Sequence, residues 1–234
     1  MMKTFDWIPD FVEVFIREEH QRYLVANIET LTTSAPTKYE GYRMLFIFAC
    51  VHGLGRLNTR LSDDLQEAVT RTINRSLTPH QLFSPSPYSN MIVGKETIDW
   101  ISSYMALSII AVIDNKRLSD YKEVVEENLR RLDDRSIVRM TLREIYSMTW
   151  IVNHLSLSLK EDLIRVTKER IYDHVTFDGA FSLEPLCESH AGAVFCALNA
   201  LQQLDCLNQM CPVLTKRVLR WLVFRQYEFG FQVS

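Results

Sequence analysis

Residues 178–201 read DGAFSLEPLCESHAGAVFCALNAL. An acidic, glycine-bearing turn passes through Pro185 into Glu188-Ser189-His190, and an apolar run follows. Ser189 stands where a helix N-cap belongs, immediately before that run. His190 sits at the helix start, where free backbone N–H groups and the helix dipole favour an anion. Ala191, Gly192, Ala193 and Ala197 then take positions where larger core residues would add more stability. The reason for small residues there has to come from the rest of the chain.

Working outward, residues 172–182 (YDHVTFDGAFS) resemble two other stretches, 129–136 (LRRLDDRS) and 224–232 (FRQYEFGFQ). Each closes a helix in basic or aromatic residues and turns on an acidic or glycine-bearing segment. Asp134 and Asp178 are 44 residues apart, and Asp178 and Glu228 are 50 apart. That spacing holds one helix–loop–helix pair, so the chain reads as tandem helical hairpins. Apolar residues recur at three- and four-residue spacing through most of it, with only seven Gly and seven Pro. The pattern predicts an all-α protein with helices at about 9–33, 37–57, 62–76, 97–114, 118–132, 140–155, 159–174, 188–204 and 212–226. Start signals are Ser119-Asp120 before Tyr121, Ser158 before Leu159-Lys160-Glu161-Asp162, and Ser189. Residues 77–96, with three prolines, read as a surface loop.

The 234 residues suffice for one large domain or two small ones, with a sizeable core. A hydrophobic fraction of 47% with 24% charged residues is a globular composition. Net charge is −3, so no overall basic field recruits nucleic acid or an anionic membrane. No apolar stretch reaches the ~18–20 residues of a membrane span, and the acidic N-terminus does not resemble a secretion signal. A soluble, cytoplasmic protein is expected. The five cysteines form no C-x-x-C pair; Cys50 and Cys196 lie in apolar helical runs and read as reduced thiols. His20, His52, His80, His154 and His174 show no metal-ligand spacing.

Glu188-Ser189-His190-Ala191-Gly192, then Phe195-Cys196-Ala197-Leu198, and later Leu219-Arg220-Trp221-Leu222, Arg225-Gln226 and Gly230-Phe231-Gln232 resemble the β subunits of protein prenyltransferases. Those proteins carry E-S/A-H-G/A-G-x-x-F/Y-C at a helix start and R-W-x-x-x-R-Q-x-x-x-G-F-Q at the following joint. The run 43–57 is similar to the second helix of the type I geranylgeranyltransferase β subunit, with R-L-x-x-x-F-F-A-L-x-G-L-D-x-L. Arg143-Glu144-Ile145-Tyr146 falls where the family has R-x-x-Y, 47 residues before His190. Type I fits better than the farnesyl and Rab types.

The resemblance implies an α/α toroid of helical hairpins, read as a single domain over 1–234 that lacks its C-terminal repeats. It implies an α subunit as partner in a heterodimer. It also implies transfer of a geranylgeranyl group from geranylgeranyl diphosphate to the cysteine of a CaaX motif on a small GTPase, with zinc holding the thiolate. His190 then matches the histidine that contacts the diphosphate. Arg143 matches the arginine near the peptide's C-terminal carboxylate, which a guanidinium fork suits. Tyr146, Trp100, Tyr104, Trp150, Gly192 and Cys196 are candidates for the lipid pocket. The small residues after His190 would leave width for the isoprenoid, with Phe195 and Leu198 forming packing faces.

The family joint continues from G-F-Q into a segment that brings the zinc ligands and basic residues. Here Gln232-Val233-Ser234 ends the sequence, so no residue of it matches a zinc ligand. Glu184-Pro185-Leu186-Cys187 also replaces the glycines that precede E-S-H in the family. The chain as written is therefore expected to bind no stoichiometric zinc and to transfer no prenyl group. A non-catalytic partial toroid that binds an α subunit or a prenylated partner is the alternative.

Overall fold

Two kinds of helix alternate along the chain, and they differ in how much of their circumference is buried. The computed structural model describes residues 16–78, 82–89, 98–227 and 230–231, with backbone alone for Tyr227, Gly230 and Phe231. His80, Glu228, Gln232-Val233-Ser234 and the start of the expected helix 9–33 lie outside the described residues.

Helices α1 (Arg17–Thr33), α3 (Asp63–Ser76), α5 (Lys122–Arg130), α8 (Glu161–Tyr172) and α10 (Pro212–Phe224) each bury a narrow stripe at most. In α8 that stripe is Leu163, Val166, Thr167 and Ile171, the three- and four-residue spacing of a one-sided helix. Helices α2 (Arg43–Arg56), α4 (Trp100–Asp114), α7 (Leu142–His154) and α9 (Ala191–Gln203) are buried on several sides. In α4, Trp100, Ser103, Ala106, Leu107, Ile109 and Ile110 are all buried. A short helix α6 (Asp134–Val138) precedes α7 and packs on α8.

The broadly buried helices pack side by side in chain order, α2 on α4, α4 on α7 and α7 on α9. They form an inner layer, and the one-sided helices form the outer one. One apolar core runs between the layers from Ile28 to Trp221. Burying each such Ile, Leu or Phe contributes roughly 1.5–3 kcal/mol.

All nine expected helices are present, while α6 was not anticipated from the sequence. Thr141 makes a reciprocal capping box with Glu144, and Asp99 and Ser62 cap α4 and α3. The expected starts at Ser119 and Ser158 fail. A 3-10 segment, Asn115–Tyr121, leads into α5, where the Ser119 hydroxyl donates to Lys116 O, and Lys160 is the N-cap of α8. Of the three similar joints, 172–182 pairs Val175 with Phe181, and 224–232 pairs Gln226 with Phe231 in a two-residue hairpin. The 129–136 segment instead starts α6, because Asp133 caps it through Ser136 N at 2.8 Å.

The small residues of α9 serve packing. Ala193, Ala197 and Ala200, spaced i, i+4 and i+7, are fully buried, and α9 packs on α7. Thr149 donates to Gln203 Oε1 across that contact at 2.6 Å. The expected role of Ala193 and Ala197 in widening a lipid channel is corrected accordingly: their methyl groups are inside the layer, not on its free face.

Arg43 pins the first hairpin. Only 4% exposed, it donates to Glu40 at 2.8 and 2.5 Å, to Ser34 Oγ at 3.1 Å and to Ala35 O at 3.2 Å. It also reaches Leu31 O at the end of α1. Ser86 donates to the same Glu40 carboxylate, so α1, α2 and the 84–89 segment share one ion pair.

Candidate functional site

The four inner helices each place an aromatic ring at the same level. Phe48 is the sixth residue of α2, and Tyr104, Tyr146 and Phe195 are the fifth of α4, α7 and α9. Their rings meet in sequence: Phe48 to Tyr104 at 5.6 Å, Tyr104 to Tyr146 at 5.3 Å and Tyr146 to Phe195 at 5.4 Å between centroids. Trp150 stands edge-on to Tyr104 at 5.1 Å and stacks on His154 at 3.7 Å. The separations and tilts among the Phe, Tyr and Trp rings are the ones aromatic pairs prefer. Nearly equal positions meet here, and His52–Ser108 and Thr149–Gln203 meet further along the same helices, so the inner helices run parallel. The row is only partly buried, and Phe195 is 54% exposed. A half-open aromatic band therefore crosses the inner layer and offers apolar contact along several helices.

Just above this band lie the N-terminal ends of the same helices. His190 is the N-cap of α9: its Nδ1 accepts the Gly192 N–H at 3.0 Å. Nδ1 is thus unprotonated in the neutral ring, and the proton belongs on Nε2, which makes no hydrogen bond among the described residues. A Cβ at Gly192 would lie 3.0 Å from Nδ1 and 3.1 Å from Cε1 of the imidazole, so a larger residue there would press on the ring. The expected cap, Ser189, is engaged elsewhere. Its hydroxyl lies 2.6 Å from Thr176 Oγ1 and donates to the Asp178 carboxylate.

Asp178 gathers the joint. It accepts from Thr176 at 2.5 Å, from Ser189, and from Trp221 Nε1 of α10 at 3.0 Å. Burial by itself raises this carboxyl, and the hydrogen bonds from Ser189, Thr176 and Trp221 outweigh it, so its pKa lies below the ordinary value. The bridge between Ser182 and Ser189, and the His190 N–H to Phe181 O bond at 2.9 Å, hold the strand leading into α9.

Arg143, one turn before Tyr146 on the same face of α7, is exposed and makes no ion pair among the described residues. Glu144, its sequence neighbour, is held in the capping box instead. Cys196 is 7% exposed; burial pushes its thiol up to about 11, with Arg143 pulling the other way. His52 borders the row, with its ring 4.4 Å from Phe48 and Nε2 2.9 Å from Ser108 Oγ. Burial, helped by Arg56, depresses its pKa.

The structure thus brings Tyr104, Tyr146 and Trp150 together, with Arg143 and His190 near one end. It does not bring Trp100 and Cys196 to the free face. Trp100, at 2% exposed, is packed into the core between the layers, and Cys196 is turned inward against α7. Phe195, expected to pack, is the exposed end of the row. Phe48, His52, Asp178 and Trp221 were missed. The signal for Phe48 was its place in the 43–57 run, which carries apolar residues on nearly every side and so conceals its free face.

His174 in the joint gives a pH prediction. It is fully buried, its Nδ1 lies 3.0 Å from Ser182 O, and Nε2 has no hydrogen-bond partner among the described residues. Burial lowers its pKa; the Ser182 contact, Glu184 and Asp173 raise it, while Arg170 lowers it further. The unfolded chain therefore takes up a proton that the folded chain refuses, and stability falls as pH drops below about 6.5. Thermal melts between pH 7 and pH 5 are expected to show that fall, with a smaller fall in His174→Gln. Equal slopes in the two proteins would assign the acid sensitivity to other groups.

Among the described residues, no three of His, Cys, Asp and Glu come together in a way that could hold a metal ion. These residues do not fit the zinc that the sequence resemblance implies. No helix among the described residues is long and apolar enough to cross a membrane.

The two-layer stack has known counterparts. The prenyltransferase alpha-alpha toroid domain matches residues 15–232. The chain belongs to that family. Protein farnesyltransferase subunit beta of Pisum sativum is 24% identical over 188 residues, covering 78% of this chain and 43% of its own length. In structure, this toroid chain matches Candida albicans protein geranylgeranyltransferase-I complexed with GGPP, at a TM-score of 0.72 and 16% identity. That match covers 92% of this chain and 65% of the other. The toroid chain therefore spans less than half of the pea subunit and about two thirds of the Candida chain. The expected all-α toroid and the protein prenyltransferase β-subunit family both hold.

Proposed function

We propose that the chain is the lipid-diphosphate-binding part of a protein geranylgeranyltransferase type I β subunit. The reading is carried by the aromatic row Phe48–Tyr104–Tyr146–Phe195, which lies beside inner-helix N-termini bearing His190 and Arg143. A long apolar chain is held by contact area along the row. Its diphosphate lies at the N-terminus of α9, where the dipole and the His190 Nε2–H favour an anion. Arg143 takes the C-terminal carboxylate of a CaaX peptide. Geranylgeranyl rather than farnesyl rests on the similarity of the 43–57 run to the type I subunit. A prenyltransferase α subunit and CaaX-bearing small GTPases are the partners, and the cytoplasm is the compartment. Thiol activation is left outside this chain's described residues. That same observation favours a second reading, a partial toroid that binds lipid diphosphate or an α subunit without turning over.

Titration of the chain with geranylgeranyl diphosphate, followed by its tryptophan fluorescence, tests the lipid site. Binding tighter than that of farnesyl diphosphate is expected. Tyr146→Ala, which breaks the row in the middle, should weaken it about tenfold, the equivalent of ~1.4 kcal/mol of lost contact. No binding, or binding indifferent to Tyr146, would remove the lipid reading. Tighter farnesyl binding would move the chain to the farnesyl type.

A further inference from the structure

Sequence and structure disagree on one residue next to the site. Ser189 has the type and position of an N-cap for α9, yet His190 caps the helix. The hydroxyl of Ser189 is instead turned back to Asp178 and Thr176. Both Ser189 and Thr176 are buried, and Asp178 accepts from each while Trp221 Nε1 fixes its other oxygen at 3.0 Å. A serine freed from that carboxylate is a stronger N-cap than an imidazole. It would compete for the same first-turn N–H groups.

We infer that Asp178 is a positioning residue for His190: it holds the Ser189 hydroxyl away from the start of α9, leaving the cap to the imidazole. The consequence is chemical. With Nδ1 accepting from Gly192, the neutral ring keeps its proton on Nε2, as a fixed donor. Losing the cap would let the ring rotate and exchange tautomers. Trp221 supports the arrangement from the next hairpin. The importance of this for binding rests on the reading of His190 as a diphosphate donor, while the tautomer does not.

The test uses the full chain with 15N-labelled histidine, and the His190 signals are identified by their loss in His190→Gln. The neutral wild-type ring is expected to show an unprotonated Nδ1 and a protonated Nε2. In Asp178→Asn the two nitrogens should move toward averaged shifts, and geranylgeranyl diphosphate should bind about tenfold more weakly. Adding Ser189→Ala to Asp178→Asn removes the competing hydroxyl, so the double variant should regain the fixed tautomer. A merely structural carboxylate would lower the melting temperature without that rescue.

An unchanged tautomer in Asp178→Asn, or no recovery in the double variant, would overturn the inference. Where Asp178→Asn does not fold, Trp221→Phe, which removes one hydrogen bond from the same carboxylate, should give partial averaging, and an unmoved tautomer there overturns it equally. The expected tautomer changes without any diphosphate binding would sink the lipid reading and leave Asp178 in its role. Diphosphate binding with an indifferent tautomer would do the reverse.

Discussion

Arg43→Ala is expected to destabilise the protein by about 3–5 kcal/mol, the usual cost of stranding one member of a buried ion pair. Urea unfolding at pH 7 measures it. Five hydrogen bonds leave with the guanidinium, and the Glu40 carboxylate keeps only its donors from Ser86 and Thr37. Glu40 reports the pair from the other side. Its hydrogen bonds with Arg43 outweigh burial and bring its pKa down from 4.5 to about 2, with help from Ser86 and Thr37. A depressed carboxyl contributes stability that is present above about pH 4.5 and lost as pH falls toward its folded pKa. Without Arg43, Glu40 keeps its burial and loses its main partner. The penalty of the substitution should therefore shrink between pH 7 and pH 4, and Glu40→Gln should recover part of it at pH 7. A cost under about 1 kcal/mol would class the pair with exposed ones.

Gly179→Ala is expected to cost about 3 kcal/mol, read as a melting temperature lower by roughly 6–12 °C for a chain of this size. Two causes combine. The backbone at Gly179 has φ +93°, a region that costs a residue with a Cβ roughly 1–2 kcal/mol. The added Cβ would also sit 2.6 Å from Cβ and Nε of Arg217. The end of an arginine can swing aside, but its Cβ moves only with α10. Arg217 further donates to Phe177 O at 2.6 Å, so the shift would open the contact between the joint and the last helix. Gly41, where an added Cβ meets nothing within 4 Å, serves as the control, and Gly41→Ala should change stability little. Equal effects at the two positions would mean the joint yields more easily than its contacts imply.

The outer layer was the most legible part of the sequence. Stripes such as Leu163, Val166 and Ile171 have one buried side, and the period survives in the residue pattern. The inner helices are covered on several sides and lose it: in α4, Trp100 and Tyr104 stand four residues apart, yet the first is core and the second reaches the free face. Sequence alone gave both the same role. For the same reason Phe195 was read as packing and Ala193 and Ala197 as channel wall, the reverse of their places. His190 was legible through the residues around it, and its environment was not. The network beside it joins Ser189 to Thr176 and Asp178, and Asp178 to Trp221, through tertiary packing that no local spacing encodes.

The Trp221–Asp178 hydrogen bond also bears on the order of assembly. Its partners are 43 residues apart, and synthesis delivers the carboxylate well before the indole. While α10 is still unmade, the turn ahead of α9 has its own hydroxyls but not the donor that fixes the second oxygen. The 172–182 joint is finished by the hairpin that follows it, so this part of the growing stack sets itself one step behind, and the turn that leads into His190 is completed only after α10 has docked.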